Sequence, residues 1–142
     1  MKKIAIIGAG ISGLFIANLF RDNQDYQVTI YEKNTSIDLD EGYGIQLSTN
    51  SIKLLNTIGF NTLENEDRFH PDKIDFYTIK PEKKICDLNI SDFNSADCKY
   101  TTLKRSKLVK FLKDRLNDNI IKFDYSIEKI EKNDDQIYLT FN

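Results

Sequence analysis

Tryptophan is absent from this 142-residue chain, and histidine and methionine occur once each. A single imidazole, His70, cannot make a zinc site without carboxylate or thiol company, and it leaves no Ser/His/Asp or Cys/His arrangement to argue for. His70 precedes Pro71 in a polar stretch and reads as a loop residue, with general-base work as the lesser alternative. Cys86 and Cys98 are too far apart for a C-x-x-C motif. Two reduced thiols are the favoured reading, with a disulfide or a metal pair left open. No apolar run approaches the roughly 20 residues that span a membrane. Lys2 and Lys3 before an apolar stretch resemble a secretory leader, but Gly8, Gly10, Ser12 and Gly13 interrupt it and no small-x-small cleavage site follows. An excess of one charge is also lacking. The net charge is −2 with both signs interspersed, without a basic stripe for nucleic acid or a basic amphipathic helix for a membrane surface. The expectation is a soluble, cytoplasmic chain with no nucleic-acid partner and no integral membrane segment. A hydrophobic share of 40% over 142 residues suits one core and a single domain, residues 1–142. Any chemistry must then be carried by a cofactor.

Glycine is sparse, yet three of the six glycines fall together near the N-terminus. An apolar run, Ile4 to Ile7, has the look of a parallel strand buried on both faces. Gly8, Gly10 and Gly13 follow at G-x-G-x-x-G spacing, and a helical pattern continues through Leu14, Phe15, Asn18 and Leu19. Gly8 permits a tight turn, Gly10 lets a pyrophosphate approach the backbone, and Gly13 lets the helix pack close to the strand. The free N–H groups and positive dipole end of that helix would face phosphates. A second apolar run, Val28 to Tyr31, ends in Glu32, roughly 20 residues beyond the last glycine, where an acid takes a ribose hydroxyl pair. The glycine spacing alone is weak evidence; its place between strand and helix, with a second strand ending in an acid, favours a dinucleotide site over a purely structural strand–turn–helix with no ligand. A carboxylate at Glu32 would repel the 2′-phosphate of NADP.

Downstream, residues 34 to 41 read as a loop, and Gly42-Tyr43-Gly44 leads into a short apolar piece at Ile45 and Leu47. Those two glycines suggest a sharp turn or a close approach by the backbone. Ser48 to Ser51 offers N-caps for a short helix through Ile52, Leu54, Leu55 and Ile58, with Gly59 as its left-handed stop. Residues 61–72 read as a connection. Ile74 to Ile79 and Lys84 to Ile90 read as two strands of a hairpin or meander with Pro81 in the turn, and Tyr100 to Leu103 is β-prone. Arg105 opens a helix with Leu108, Val109, Phe111, Leu112 and Leu116 on one face, ended by Asn117 to Asn119. Ile120 to Phe123 reads as a buried strand, and 125–131 with 136–141 as a hairpin. The fold class is α/β: a Rossmann-like parallel sheet with right-handed crossovers and an antiparallel β insertion.

With its pieces in this order, the sequence resembles the N-terminal part of the FAD-dependent aromatic hydroxylases, the single-component flavoprotein monooxygenases. The resemblance rests on G-A-G-I-S-G-L with Y-E-K closing the second strand, on G-Y-G-I-Q-L-S-T-N-S-I-K-L-L-N-T-I-G-F, and on L-K-R-S-K-L-V-K-F-L. It implies that Gly8, Gly10, Ser12 and Gly13 hold an FAD pyrophosphate, that Glu32 takes the adenosine ribose, and that Lys33 stands near the adenine end. Arg105 would reach the cofactor from its helix start, an always-charged side chain able to grip phosphate with two parallel hydrogen bonds. Gly42 and Gly44 would line the flavin or serve as simple turn residues. In a complete enzyme NAD(P)H would be co-substrate and a small aromatic molecule would take an oxygen atom from O2.

Such hydroxylases run to several hundred residues, and their later G-D and D-G motifs and substrate-covering sheet have no counterpart here. The loop before Gly42 also lacks the arginines some members carry. The chain is therefore expected to be an incomplete, N-terminal portion: a truncated gene product, a deliberately shortened fragment or one half of a split enzyme that associates with its C-terminal half. Two other readings stay open, an NAD-dependent or other flavin oxidoreductase fragment and a non-catalytic nucleotide-binding remnant.

Overall fold

The computed structural model describes residues 1–39 and 43–142. The chain divides into two compact units, Met1–Glu41 with Leu108–Asn142, and Gly42–Lys107.

The first unit begins β1 (Lys2–Ile7), α1 (Ile11–Phe20), β2 (Tyr26–Tyr31), each predicted by its periodicity. β1 and β2 are parallel with Ile4 opposite Val28 and Ile6 opposite Ile30. β2 in turn pairs in parallel with β7 (Ile121–Lys122), giving the order β1-β2-β7. Leu14 and Ala17 of α1 are fully buried, as are Ile30 of β2 and Leu108, Val109 and Leu112 of α3 (Arg105–Lys113), which starts in the second unit and runs into the first. Asn18 ties the two helices together: its buried Nδ2 donates to the Leu14 carbonyl at 2.9 Å and to the Leu112 carbonyl at 2.8 Å. The hairpin β8 (Ile127–Lys132) and β9 (Ile137–Phe141) closes the unit, its turn organised by Asn133 Oδ1, which accepts from the Asp135 and Gln136 amides. Tyr31, Tyr125 and Phe141 stack against one another with ring centroids 4.6 to 5.4 Å apart.

Three expectations need correction here. β1 is not buried on both faces: Ile6 is buried under α1, whereas Ala5 and Ile7 on the opposite face are exposed. α3 closes at Lys113 and not at Asn117. The Asp114 amide still bonds the Lys110 carbonyl, but the Leu116 amide bonds Lys113, tightening the turn while Leu116 stays buried. The strand expected over Ile120 to Phe123 contracts to β7, because Asp124 takes a left-handed φ of 63° and turns the chain toward the end of β2.

In the second unit β3 (Gly44–Leu47) pairs antiparallel with β6 (Thr101–Lys104), and Phe69 adds a bridge to Thr102. α2 (Thr49–Asn56) buries Ile52 and Leu55 beside Ile58 and Phe60, and Gly59 at φ 86° makes the left-handed exit that its position suggested. The connection contains two short 3-10 helices, Phe60–Thr62 and Asn65–Asp67. β4 (Lys73–Tyr77) and β5 (Lys84–Asn89) form the expected hairpin, with a register shift between Phe76 and Tyr77. Among the described residues no helix is long and apolar enough to cross a membrane.

Candidate functional site

The turn between β1 and α1 is shaped by three glycines, each for a different reason. Gly8 sits at φ 97°, which a side chain would strain, and its N–H donates to the Tyr31 carbonyl at 2.8 Å, locking the end of β1 to the end of β2. Gly13 is the packing residue. A Cβ there would lie 2.1 Å from the Gly8 carbonyl oxygen and 3.2 Å from Ile6 Cγ2, so only hydrogen lets α1 approach the turn this closely. Gly10 is the N-cap of α1 and faces open space, with nothing within 4 Å of an added Cβ.

The end of α1 beside Gly10 is bare of compensating groups. The cap makes no side-chain hydrogen bond, no acid occupies the first turn, and the first helical bond runs from the Leu14 amide to the Gly10 carbonyl at 2.9 Å. The amides ahead of Leu14 have no intrahelical carbonyl to meet, and they carry the positive end of the helix dipole. Ser12 is exposed on this turn. Such an end suits an anion.

Glu32 follows β2 and is 8% exposed. Its Oε2 accepts from the Ala9 amide at 2.7 Å and its Oε1 from the Asn34 amide at 3.0 Å. Its own amide donates to the Lys122 carbonyl at 2.8 Å, and its carbonyl accepts from the Tyr125 amide at 3.0 Å. Lys33, next along, is exposed. Gly8, Gly10, Ser12, Gly13, Glu32 and Lys33 therefore gather in the first unit, around the carboxyl ends of two parallel strands.

Gly44 and Arg105 gather separately, in the second unit, at the ends of the β3–β6 pair. Arg105 donates its amide to the Tyr43 carbonyl at 3.0 Å, and its guanidinium lies 5.8 Å from the centroid of the Tyr43 ring. Gly44 is under no steric compulsion, since a Cβ there would only touch the Leu103 carbonyl at 4.0 Å. Gly42 lies outside the described residues. His70 braces the second unit, with its Nδ1 3.1 Å from the Tyr100 carbonyl and 3.2 Å from Thr101 Oγ1. Thr101 gives its own proton to Lys99, so both partners accept and Nδ1 carries the hydrogen. Cys86 and Cys98 are free thiols.

With this geometry in view, the comparisons with known proteins converge. Residues 6–37 match the family described as the NAD(P)-binding Rossmann-like domain. The 3-amino-4-hydroxybenzoate 2-monooxygenase PtnB3 of Streptomyces platensis is 28% identical over 142 residues, covering 98% of this chain and 35% of that protein. The 2,6-dihydroxypyridine-3-hydroxylase of Arthrobacter nicotinovorans has a TM-score of 0.75 at 13% identity, over 99% of this chain and 33% of that one. Klebsiella pneumoniae HpxO, solved with FAD and uric acid, has a TM-score of 0.77 at 18% identity, over 99% and 35%. Over nearly its whole length the chain is similar to one stretch of each of these hydroxylases. It spans about a third of the length of these relatives.

The sequence did not mark Ala9 and Asn34 as the partners of Glu32. No signal in the sequence could have named them, because each contributes only its main-chain N–H. It also missed an ionic quartet on the β4–β5 hairpin, where Lys73 and Lys84 each reach both Asp75 and Asp87 within 3.3 Å. That quartet is solvent-exposed and belongs to the second unit.

Proposed function

We propose that this chain is the FAD-binding portion of an FAD-dependent monooxygenase, whose complete form hydroxylates an aromatic or similar small molecule with NAD(P)H and O2. The observation that carries this reading is the glycine turn: an approach left open at Gly10, before an uncapped helix end, with an acid closing β2. FAD would supply the redox chemistry that no side chain here offers.

The chain's own residues bind and orient. The first-turn amides of α1 take a diphosphate, Ser12 adds a hydroxyl, and Gly10 leaves room for phosphate oxygens against the main chain. Glu32 offers its remaining lone pairs to the ribose hydroxyls and disfavours a 2′-phosphate. Lys33 serves the adenine end and Arg105 a cofactor phosphate. The Streptomyces relative is named for 3-amino-4-hydroxybenzoate and HpxO was solved with uric acid, so the substrate class is an electron-rich aromatic or heteroaromatic ring. That substrate is held largely by the portion corresponding to the relatives' remaining length, with which this chain associates, in the cytoplasm.

A second reading, an NAD-dependent oxidoreductase fragment, draws on the family match over residues 6–37. Thermal-shift titration with ADP, FAD and NADH separates the two. ADP and FAD are expected to raise the unfolding temperature together. A shift with NADH and none with FAD favours the second reading, and no response to any of the three overturns the nucleotide site.

A further inference from the structure

The Glu32 carboxylate is already engaged before any ligand arrives. One oxygen holds Ala9, the residue between Gly8 and Gly10, and the other holds Asn34, in the chain leaving β2. The main chain of Glu32 is fixed as well, by Lys122 on its amide and Tyr125 on its carbonyl. The side chain therefore springs from a main chain fixed on both sides and ends on a turn that contains two glycines. Two glycines flank Ala9, and glycine has the widest backbone freedom of any residue. Without that tether the stretch between the two glycines would have more freedom to lose on binding, and the lost entropy would weaken the complex.

We infer that Glu32 is a positioning residue for the phosphate turn, acting through the Ala9 amide, in addition to any contact it makes with a ribose. The inference rests on the nucleotide reading of the turn. A bond from a main-chain N–H to an ionised carboxylate is about twice as strong as a neutral one. Its partner here is buried, so water does not substitute for it freely. Each oxygen keeps a second lone pair, so the tether and a ribose contact coexist. Glutamine at this position can accept with one oxygen only and turns its NH2 toward the other main-chain donor.

The consequence separates positioning from ribose recognition, because a tether on the turn matters even to a ligand without ribose hydroxyls. The test is a binding cycle on the 142-residue chain: ADP and 2′,3′-dideoxy-ADP against the parent and Glu32→Gln, well below the unfolding temperature of each. The substitution is expected to weaken both ligands, dideoxy-ADP by roughly tenfold, which corresponds to about 1.4 kcal/mol. Dideoxy-ADP binding equally well to both proteins overturns the inference and leaves Glu32 a ribose ligand alone. A second measurement needs no variant. The Ala9 amide of the ligand-free parent should exchange with solvent hydrogen far more slowly than an open glycine-rich loop, and fast exchange there overturns the tether. Failure of the parent to bind ADP would instead overturn the nucleotide reading, with the Ala9 exchange rate still deciding whether the tether exists.

Discussion

A methyl group added at Gly13 would sit 2.1 Å from the Gly8 carbonyl oxygen, whereas one added at Gly10 meets nothing within 4 Å. The same substitution at two glycines of one motif should therefore fail in opposite ways. Gly13→Ala must push α1 away from the turn, an overpacking that costs roughly 1–3 kcal/mol, read as a lower urea midpoint. Gly10 has φ −74° and ψ 179°, a backbone any residue adopts, so Gly10→Ala keeps stability to within about 1 kcal/mol of the parent. Its methyl group instead fills the space a diphosphate needs, and ADP affinity should fall by roughly tenfold or more. Unchanged ADP affinity in a well-folded Gly10→Ala protein would remove Gly10 from the site. At this scale the sequence was informative wherever the side chain, or its lack, decides the matter. It was silent about the main-chain partners of the Glu32 carboxylate, amides that any residue but proline would supply at positions 9 and 34.

Among the elements, β1, α1 and β2 were legible because strand run, glycine spacing and helix pattern are local and agree with one another. The end of α3 and the length of β7 were not. Leu116 keeps the helical spacing of an apolar face after the α-helix has tightened into its last turn, and Asp124 makes a left-handed bend without a glycine to announce it. The hairpin quartet depended on register: Asp75 faces Asp87 across the β4–β5 pair, and only the lysines at positions 73 and 84 make that like-charge meeting tolerable. The hydrogen bond from Lys84, then that from Lys73, holds the Asp87 carboxyl down to about 2, and Lys84 also lowers Asp75. Because Asp87 is more acidic here than the ordinary ~3.9 of an unfolded aspartate, its ionised form favours the folded hairpin above that ordinary value. The preference is lost as pH falls toward about 2. Carboxyl-detected NMR titration should place the Asp87 midpoint near about 2, and Lys84→Ala should raise it toward the ordinary value. An ordinary midpoint in the parent would show that the quartet does not persist in solution.

For the whole molecule, the decisive proportion is that the chain covers nearly all of itself but only about a third of each relative it matches. Under the proposed reading, the features it carries would serve one end of a dinucleotide: the glycine turn its diphosphate, Glu32 a ribose, and Lys33 beside it the adenine end. The separation into two units has no linker to mark it in sequence, since the second unit is inserted between β2 and the body of α3. Among the described residues, Ile7 of β1 and Ile16 and Leu19 of α1 are exposed large apolar side chains. If only the adenine side of the cofactor is gripped, then the isoalloxazine adds little affinity to this chain. FAD should then bind it no more than about threefold more tightly than ADP, a difference below 1 kcal/mol by the tenfold-per-1.4 rule. The purified protein should accordingly show no flavin absorbance before FAD is added, and no NADH-dependent oxygen uptake beyond free flavin afterwards. Stoichiometric, tightly held flavin on the purified 142 residues would instead mean that the glycine turn and Arg105 suffice to hold the whole cofactor. The proposal that the remainder of the site is supplied by another portion of an enzyme would then fail.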